Sequence, residues 1–370
     1  MHSATRAACL QRLLPLLLLA TPAVAQPVVD IPRAQGCRGC AIEIERVAVL
    51  GDEDGPGIIE SEHTTGVVDG RGRYFLFHAY APEVKVFDAS GRFLSRLGRT
   101  GKGPGEFSGV GAVRVSAGDT VHVFDGNNLT HSVFSPALRF VRSTNLEVVP
   151  QMQAVALGGD RAVIGTPLRT PARVGYPLHL VEGGKVVRSF GSARGAFRPD
   201  VPYFDERAIA PADAGSVWAA QQNRYVVEQW STDGRKLREL RREVEWFPPY
   251  LVSRTVSPDQ PPPTSLQQVR QDRAGLLWVK ILVPDRRWRS QVRQGGPHGY
   301  TVADRARYYD TIVEVIDPRR GVVLASRRFD ERVQLLGEDR IGAVVMGEDD
   351  VPRFVVWRVR LASPTFRASA

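Results

Sequence analysis

Short stretches of alternating apolar and polar residues, parted by glycine-bearing turns, recur along most of the chain. Asp69–His78 with Val84–Gly91 reads as two strands around a turn at Gly72 and a third running into a turn at Gly91. Asp213–Gln221 with Val227–Gly234 repeats the pattern, and Gly72 to Gly91 and Gly215 to Gly234 are both 19 residues. Gly118–Asp125 with Val133–Leu138 is a third copy of nearly the same length without the second glycine. Each unit predicts an apolar strand, a glycine turn, two alternating strands, a second glycine turn and an outer strand. The glycines supply the positive φ that tight hairpins require.

A unit of this size cannot bury both faces of its own sheet, so the repeat predicts a β-propeller. Copies centred on Gly72, Gly118, Gly159, Gly215 and Gly275, with a degenerate sixth from about Val333 to Leu361, predict six blades. The fold class is therefore all-β. In blade five the two turn glycines, Gly275 and Gly321, are 46 residues apart, so this blade carries an insertion at about residues 284–307. Ile42–Leu50 resembles the last strand of a repeat, whereas the sixth copy stops after its third strand at Leu361. The N-terminal strand is thus expected to complete the last blade and leave no open edge.

Ahead of the repeats, Arg6 and Arg12, an apolar run from Leu13 to Ala20 and Ala23-Val24-Ala25 form a secretory signal over residues 1–25. A leader at 26–41, the propeller at 42–361 and a tail at 362–370 complete the expected organisation. No other run approaches the roughly 20 apolar residues of a membrane helix. The mature chain is expected to be exported, periplasmic or extracellular, without a membrane span, and a monomer. The net charge is +9, and nearly all of the basic charge is arginine. No block of basic residues interleaved with aromatics suggests a nucleic-acid partner.

The Asp-x-x-Gly turns at Asp69 and Asp272, Val86–Gly91 and the Gly-Pro-Gly exits at Gly55–Gly57 and Gly103–Gly105 resemble those of bacterial six-bladed propellers related to NHL-repeat and TolB-like domains. The resemblance covers the mature chain and implies a fold, not an activity. In the gluconolactonase-like and amidating-lyase-like members, the end of the second strand of each blade supplies ligands for calcium or zinc. Here the equivalent positions are His78, Asp125, Gln221 and about Ile281, which make His78, Asp125 and Gln221 channel-mouth candidates. One His, one Asp and one Gln are a poor donor set for a divalent ion. The expectation is no cofactor, with one calcium or zinc ion as the alternative. The aspartates of the turns are expected to cap backbone N–H groups.

Cys37 and Cys40 are expected to form a disulfide that pins the leader, since oxidising export favours one and no thioredoxin-like strand and helix follow. No catalytic serine elbow, phosphate loop or zinc-protease helix occurs. The blade-five insertion holds Arg286, Arg287, Trp288, Arg289, His298 and Tyr300, a composition suited to gripping an anionic or carbohydrate partner. The proline-rich 257–263 reads as an extended connector. The sequence therefore points to a binding module for a protein, peptide or glycan, with a metal-dependent lactonase or lyase at the channel mouth as the alternative.

Overall fold

The structure, a computed structural model, describes residues 27–79, 81–150, 153–168, 170, 173–191, 206–251, 256–295, 299–347 and 349–363. The expected signal segment and all but the first two residues of the expected tail lie outside them.

Two strands precede the repeats, β1 (Val28–Ile31) and β2 (Ala41–Leu50). Blade one is β3 (Thr65–Val68), β4 (Tyr74–Phe77), β5 (Val84–Phe87) and β6 (Phe93–Leu97). Blade two is β7 (Val110–Val115), β8 (Val121–Asp125), β9 (Thr130–Phe134) and β10 (Phe140–Asn145). Blade three is β11 (Ala154–Gly158), β12 (Arg161–Gly165), β13 (Leu178–Glu182) and β14 (Lys185–Phe190). Blade four is β15 (Arg207–Pro211), β16 (Val217–Gln221), β17 (Val226–Trp230) and β18 (Lys236–Arg242).

Blade five opens with β19 (Ser265–Gln271) and β20 (Leu277–Pro284). Its insertion forms a separate hairpin, β21 (Val292–Gly295) and β22 (Gly299–Val302), before the blade resumes with β23 (Tyr309–Asp317) and β24 (Val322–Phe329). Blade six is β25 (Gln334–Leu335), β26 (Arg340–Met346) and β27 (Pro352–Ala362), with β2 as its outer strand. The chain is a six-bladed β-propeller. The inner strands β3, β7, β11, β15, β19 and β25 touch one another in turn around a central channel.

The turn glycines do what their spacing implies. Gly91 has φ 95° and Gly234 has φ 85°. A Cβ on Gly91 would sit 2.3 Å from the Val49 carbonyl oxygen of β2, so here space as well as φ demands glycine. The turn aspartates cap backbone: Asp69 Oδ1 accepts from the N–H of Arg71 and Arg73, and Asp88 Oδ1 from those of Ser90 and Arg92. Asp272 Oδ1 accepts from Leu276 N–H, and its Oδ2 from the Trp278 indole.

The core is divided among the seams between blades. Phe75 and Val86 of blade one meet Val113, Val121 and Phe134 of blade two. Leu50 and Phe354 of blade six meet Leu76 and Phe87 of blade one. Trp218 and Val227 of blade four meet Leu266 and Val279 of blade five. Alternation along each strand serves both faces, which explains why β4 and β8 are buried at every position.

Blade six is closed by β2, paired antiparallel with β27 from Ala41↔Ala362 to Leu50↔Phe354. The leader does more than reach this strand. β1 adds to the outer edge of blade four, parallel to β18, with Val28 opposite Glu239 and Ile31 opposite Arg242. The chain then crosses the edge of blade five, where Gly36 N donates to Val323 O and Gln35 Nε2 to Leu324 O. The Cys37–Cys40 disulfide follows, with Cα atoms 5.5 Å apart. Three consecutive blades are strapped by one 24-residue segment, Pro27 to Leu50. The parallel strand β1 was not legible in the alternation, because four residues of Val-Val-Asp-Ile carry no pairing signal of their own.

Candidate functional site

The channel is the principal cavity among the described residues, with a volume of about 1740 Å3. One end is ringed by the capped turns, including Asp69, Asp119, Arg273 and Asp339. Those charges are largely spent within the fold. Asp69 pairs with Arg73 at 2.7 Å, Asp119 with Arg71 at 3.2 Å and Asp339 with Arg340.

The other end is more open to chemistry, because the insertion of blade five folds back onto it. Its base is held by Asp285, buried, which accepts from Arg287 N–H while its own N–H donates to Tyr308 O at 3.2 Å. Asp310 leans on the same point. Burial raises its pKa, and Arg328 donates to it at 2.6 Å. Arg289 Nε donates to Pro258 O at 3.0 Å, tying the insertion to the proline-rich connector, and its guanidinium lies 5.2 Å from the Trp288 ring centre. The insertion thereby places Arg287 and the run Ala303–Arg307 on the channel wall.

The channel wall also carries Glu62, His63, His78, Lys280 and Arg332. His63 has its pKa lowered, first by burial and then by the charges of Arg305 and Arg332 against the pull of Glu62. His78 Nε2 is 4.0 Å from Glu60. Glu206, also on the wall, has its pKa raised by burial. Lys280 sits midway along β20 in the sequence Leu-Trp-Val-Lys-Ile-Leu-Val-Pro and is 8 % exposed. Burial, then the neighbouring Arg332 charge, depresses its pKa to about 7. A buried amine loses hydration and feels a like charge on the same wall, and both effects favour the neutral form.

The residues read from the sequence fall in different places. His78 lines this mouth. Asp125 is fully buried, and its carboxylate accepts from the backbone N–H groups of Ser108, Asn127 and Asn128, a capping role away from the channel wall. Gln221 ends β16, and the next residue, Gln222, is the one on the wall. Ile281 is core, with Lys280 taking the channel position. Of the insertion residues, Arg287 reaches the channel, Trp288 and Arg289 brace the loop, and Tyr300 stands exposed on the hairpin. Arg286 is exposed in the turn before the short 3-10 helix at Trp288–Gln291, and His298 lies outside the described residues.

Lys280, Arg332 and His63 were missed as a group. A signal existed for Lys280 alone, a charged residue inside an eight-residue apolar strand. Among the described residues, no three His, Cys, Asp or Glu side chains converge as a metal site. No helix there is long and apolar enough to cross a membrane.

Comparison with known proteins agrees on architecture. The family DUF5128, described as a 6-bladed beta-propeller, matches residues 60–153. No curated protein matches the sequence. Among solved structures, a member of the DUF4221 family from Bacteroides vulgatus superposes with TM-score 0.57 at 11% identity, covering 87% of this chain and 99% of its own. A Bacteroides fragilis protein designated as exported superposes with TM-score 0.55 at 10% identity, covering 90% of this chain and 99% of its own. At these identities the likeness is one of fold.

Proposed function

We propose that this propeller is an exported binding module that takes the anionic end of a glycan or peptide into the channel mouth covered by the blade-five insertion. The observation that carries this reading is the place of Arg305 from the insertion and Arg332 from the inter-blade loop on one channel wall, where both charges act on His63. Grouped guanidinium donors on a concave, partly desolvated wall suit carboxylates, and burial strengthens each charge-assisted hydrogen bond. The exported character of the B. fragilis protein of similar fold and the signal-like start of the sequence support placement outside the cytoplasm. The lactonase or lyase alternative would need a convergent donor set, which His78, Asp125 and Gln221 do not make.

The test is binding of the mature protein to arrays of oligouronides and acidic peptides alongside their neutral counterparts. Preference for the acidic members, lost in Arg305→Gln and Arg332→Gln, is the expected result. Equal binding of neutral and acidic members, or preference unaltered by either substitution, would overturn it.

A further inference from the structure

Five lysines occur in the whole chain, against 44 arginines among the 49 basic residues. Lys85 and Lys236 are ion-paired, to Glu60 and Glu83 and to Glu228 and Glu239 respectively. Lys102 and Lys185 are exposed. Lys280 alone combines burial, a place on the channel wall and a neighbour of like charge. Its ammonium has neither a hydrogen bond nor an ion pair among the described residues. Its strand neighbours are the Gln268 and Val313 backbones of β19 and β23. The Gln268 side chain is already engaged, accepting from Leu335 N–H at 2.8 Å.

An amine in water is protonated near neutrality and is then no nucleophile. Desolvation and an adjacent cation are the two devices that make a lysine nucleophilic, and both act here. The amine and the Arg332 guanidinium line the same channel, and together they define what could meet it. The partner must present an electrophilic carbon to Nζ and a carboxylate to Arg332.

We propose that Lys280 captures an oxo acid, a molecule bearing both an aldehyde or ketone and a carboxylate, as a reversible imine in the channel. The lysine Nζ attacks the carbonyl carbon, and the C=O π pair moves to oxygen. One amine proton passes to that oxygen, the resulting carbinolamine loses it as water with the second amine proton, and a C=N bond remains. No electrons are gained or lost, and hydrolysis returns the amine and the oxo acid. The proposal rests on the anionic-end reading above and narrows it. The open-chain reducing end of a uronic acid carries both groups, as does a free 2-oxo acid.

The experiment incubates the mature protein with glyoxylate, or with galacturonic acid, in the presence of cyanoborohydride, which reduces an imine to a stable amine. Peptide mapping by mass spectrometry then locates the adduct among the five lysines. The expected result is an adduct at Lys280 at least tenfold ahead of exposed Lys102 and Lys185, absent in Lys280→Met. Arg332→Gln should weaken capture of glyoxylate and spare that of propanal, which has no carboxylate. Adducts spread over the exposed lysines, or none at Lys280, would overturn the imine. Retained reductant-free binding of oligouronides by Lys280→Met would in that case leave the anionic-end reading standing, whereas its absence from wild type would remove both. Capture of glyoxylate without galacturonic acid assigns the site to small oxo acids, and capture of both extends it to glycan ends.

Discussion

The phenol of Tyr225 in blade four donates a 2.5 Å hydrogen bond to the carboxylate of Glu314 in blade five, both residues being buried. Arg242, also buried at its side chain, donates to the same Oε2 and, through Nη2, to the Arg33 carbonyl of the leader at 3.0 Å. The seam between two blades and the strap across them therefore share one carboxylate. Burial, followed by the Glu314 charge, holds the Tyr225 pKa well above its ordinary value, so the phenol remains a donor.

Removal of that carboxylate strands a buried guanidinium and a buried hydroxyl. Glu314→Ala is expected to destabilise the protein by about 3–5 kcal/mol, read as a shift of the urea midpoint. Glu314→Gln, which keeps an acceptor, is expected to lose less. Equal losses for the two would mean that volume, not charge pairing, sets the effect.

Acid should loosen blades two and three. His122 and His131 stack, with Nδ1 of the first 2.9 Å from Nε2 of the second, and burial first of all lowers their pKa values to about 4 and about 3. His179 is held at about 4, again chiefly by burial, between Ser189 Oγ and Thr166 O. The unfolded chain binds these protons from about pH 6.5, while the folded chain refuses them until far lower. Stability is thus complete above about pH 6.5 and falls as pH drops from there to about 4, by on the order of 3 kcal/mol for His179 alone. Thermal melts across this range should show the decline, and His179→Gln should flatten its slope.

Among the described residues the hairpin of the insertion pairs only with itself, and Ala303 N already bonds Gln291 O at 2.8 Å across its base. Replacing residues 292–302 with a short glycine-serine turn is expected to move the thermal midpoint by no more than about 3 °C. A larger loss would show that the hairpin packs on the ring.

We also propose that the mature protein needs no metal. Elemental analysis of protein prepared without chelator is expected to give far less than one calcium or zinc per chain, with an unchanged melt after EDTA. A stoichiometric ion that stabilises the protein would reopen the lyase alternative.

The blades were legible because their signals are local. Gly72, Gly91, Gly215 and Gly234 all take positive φ, and such turns recur at a fixed distance whatever the rest of the chain does. The channel was not, because it assembles from positions far apart in sequence. Lys280 and Arg332 come from a strand and an inter-blade loop, while Arg305 returns from an insertion of no repeat length. Asp125 misled for a physical reason. At the end of β8 its carboxylate accepts from the N–H groups of Ser108, Asn127 and Asn128, so the turn into β9 takes up the side chain that the strand position alone would assign to the channel.

The strap has a consequence in time. Its first strand must wait for β18, and its second for β27, where Glu43 meets Arg360 across 317 residues of chain. Whatever order the inner blades adopt, the earliest residues of the propeller are satisfied last. Such long-range closure slows folding, because loop entropy is lost before the contacts repay it. A chain emerging from synthesis therefore keeps its N-terminal edge open until blade six is made.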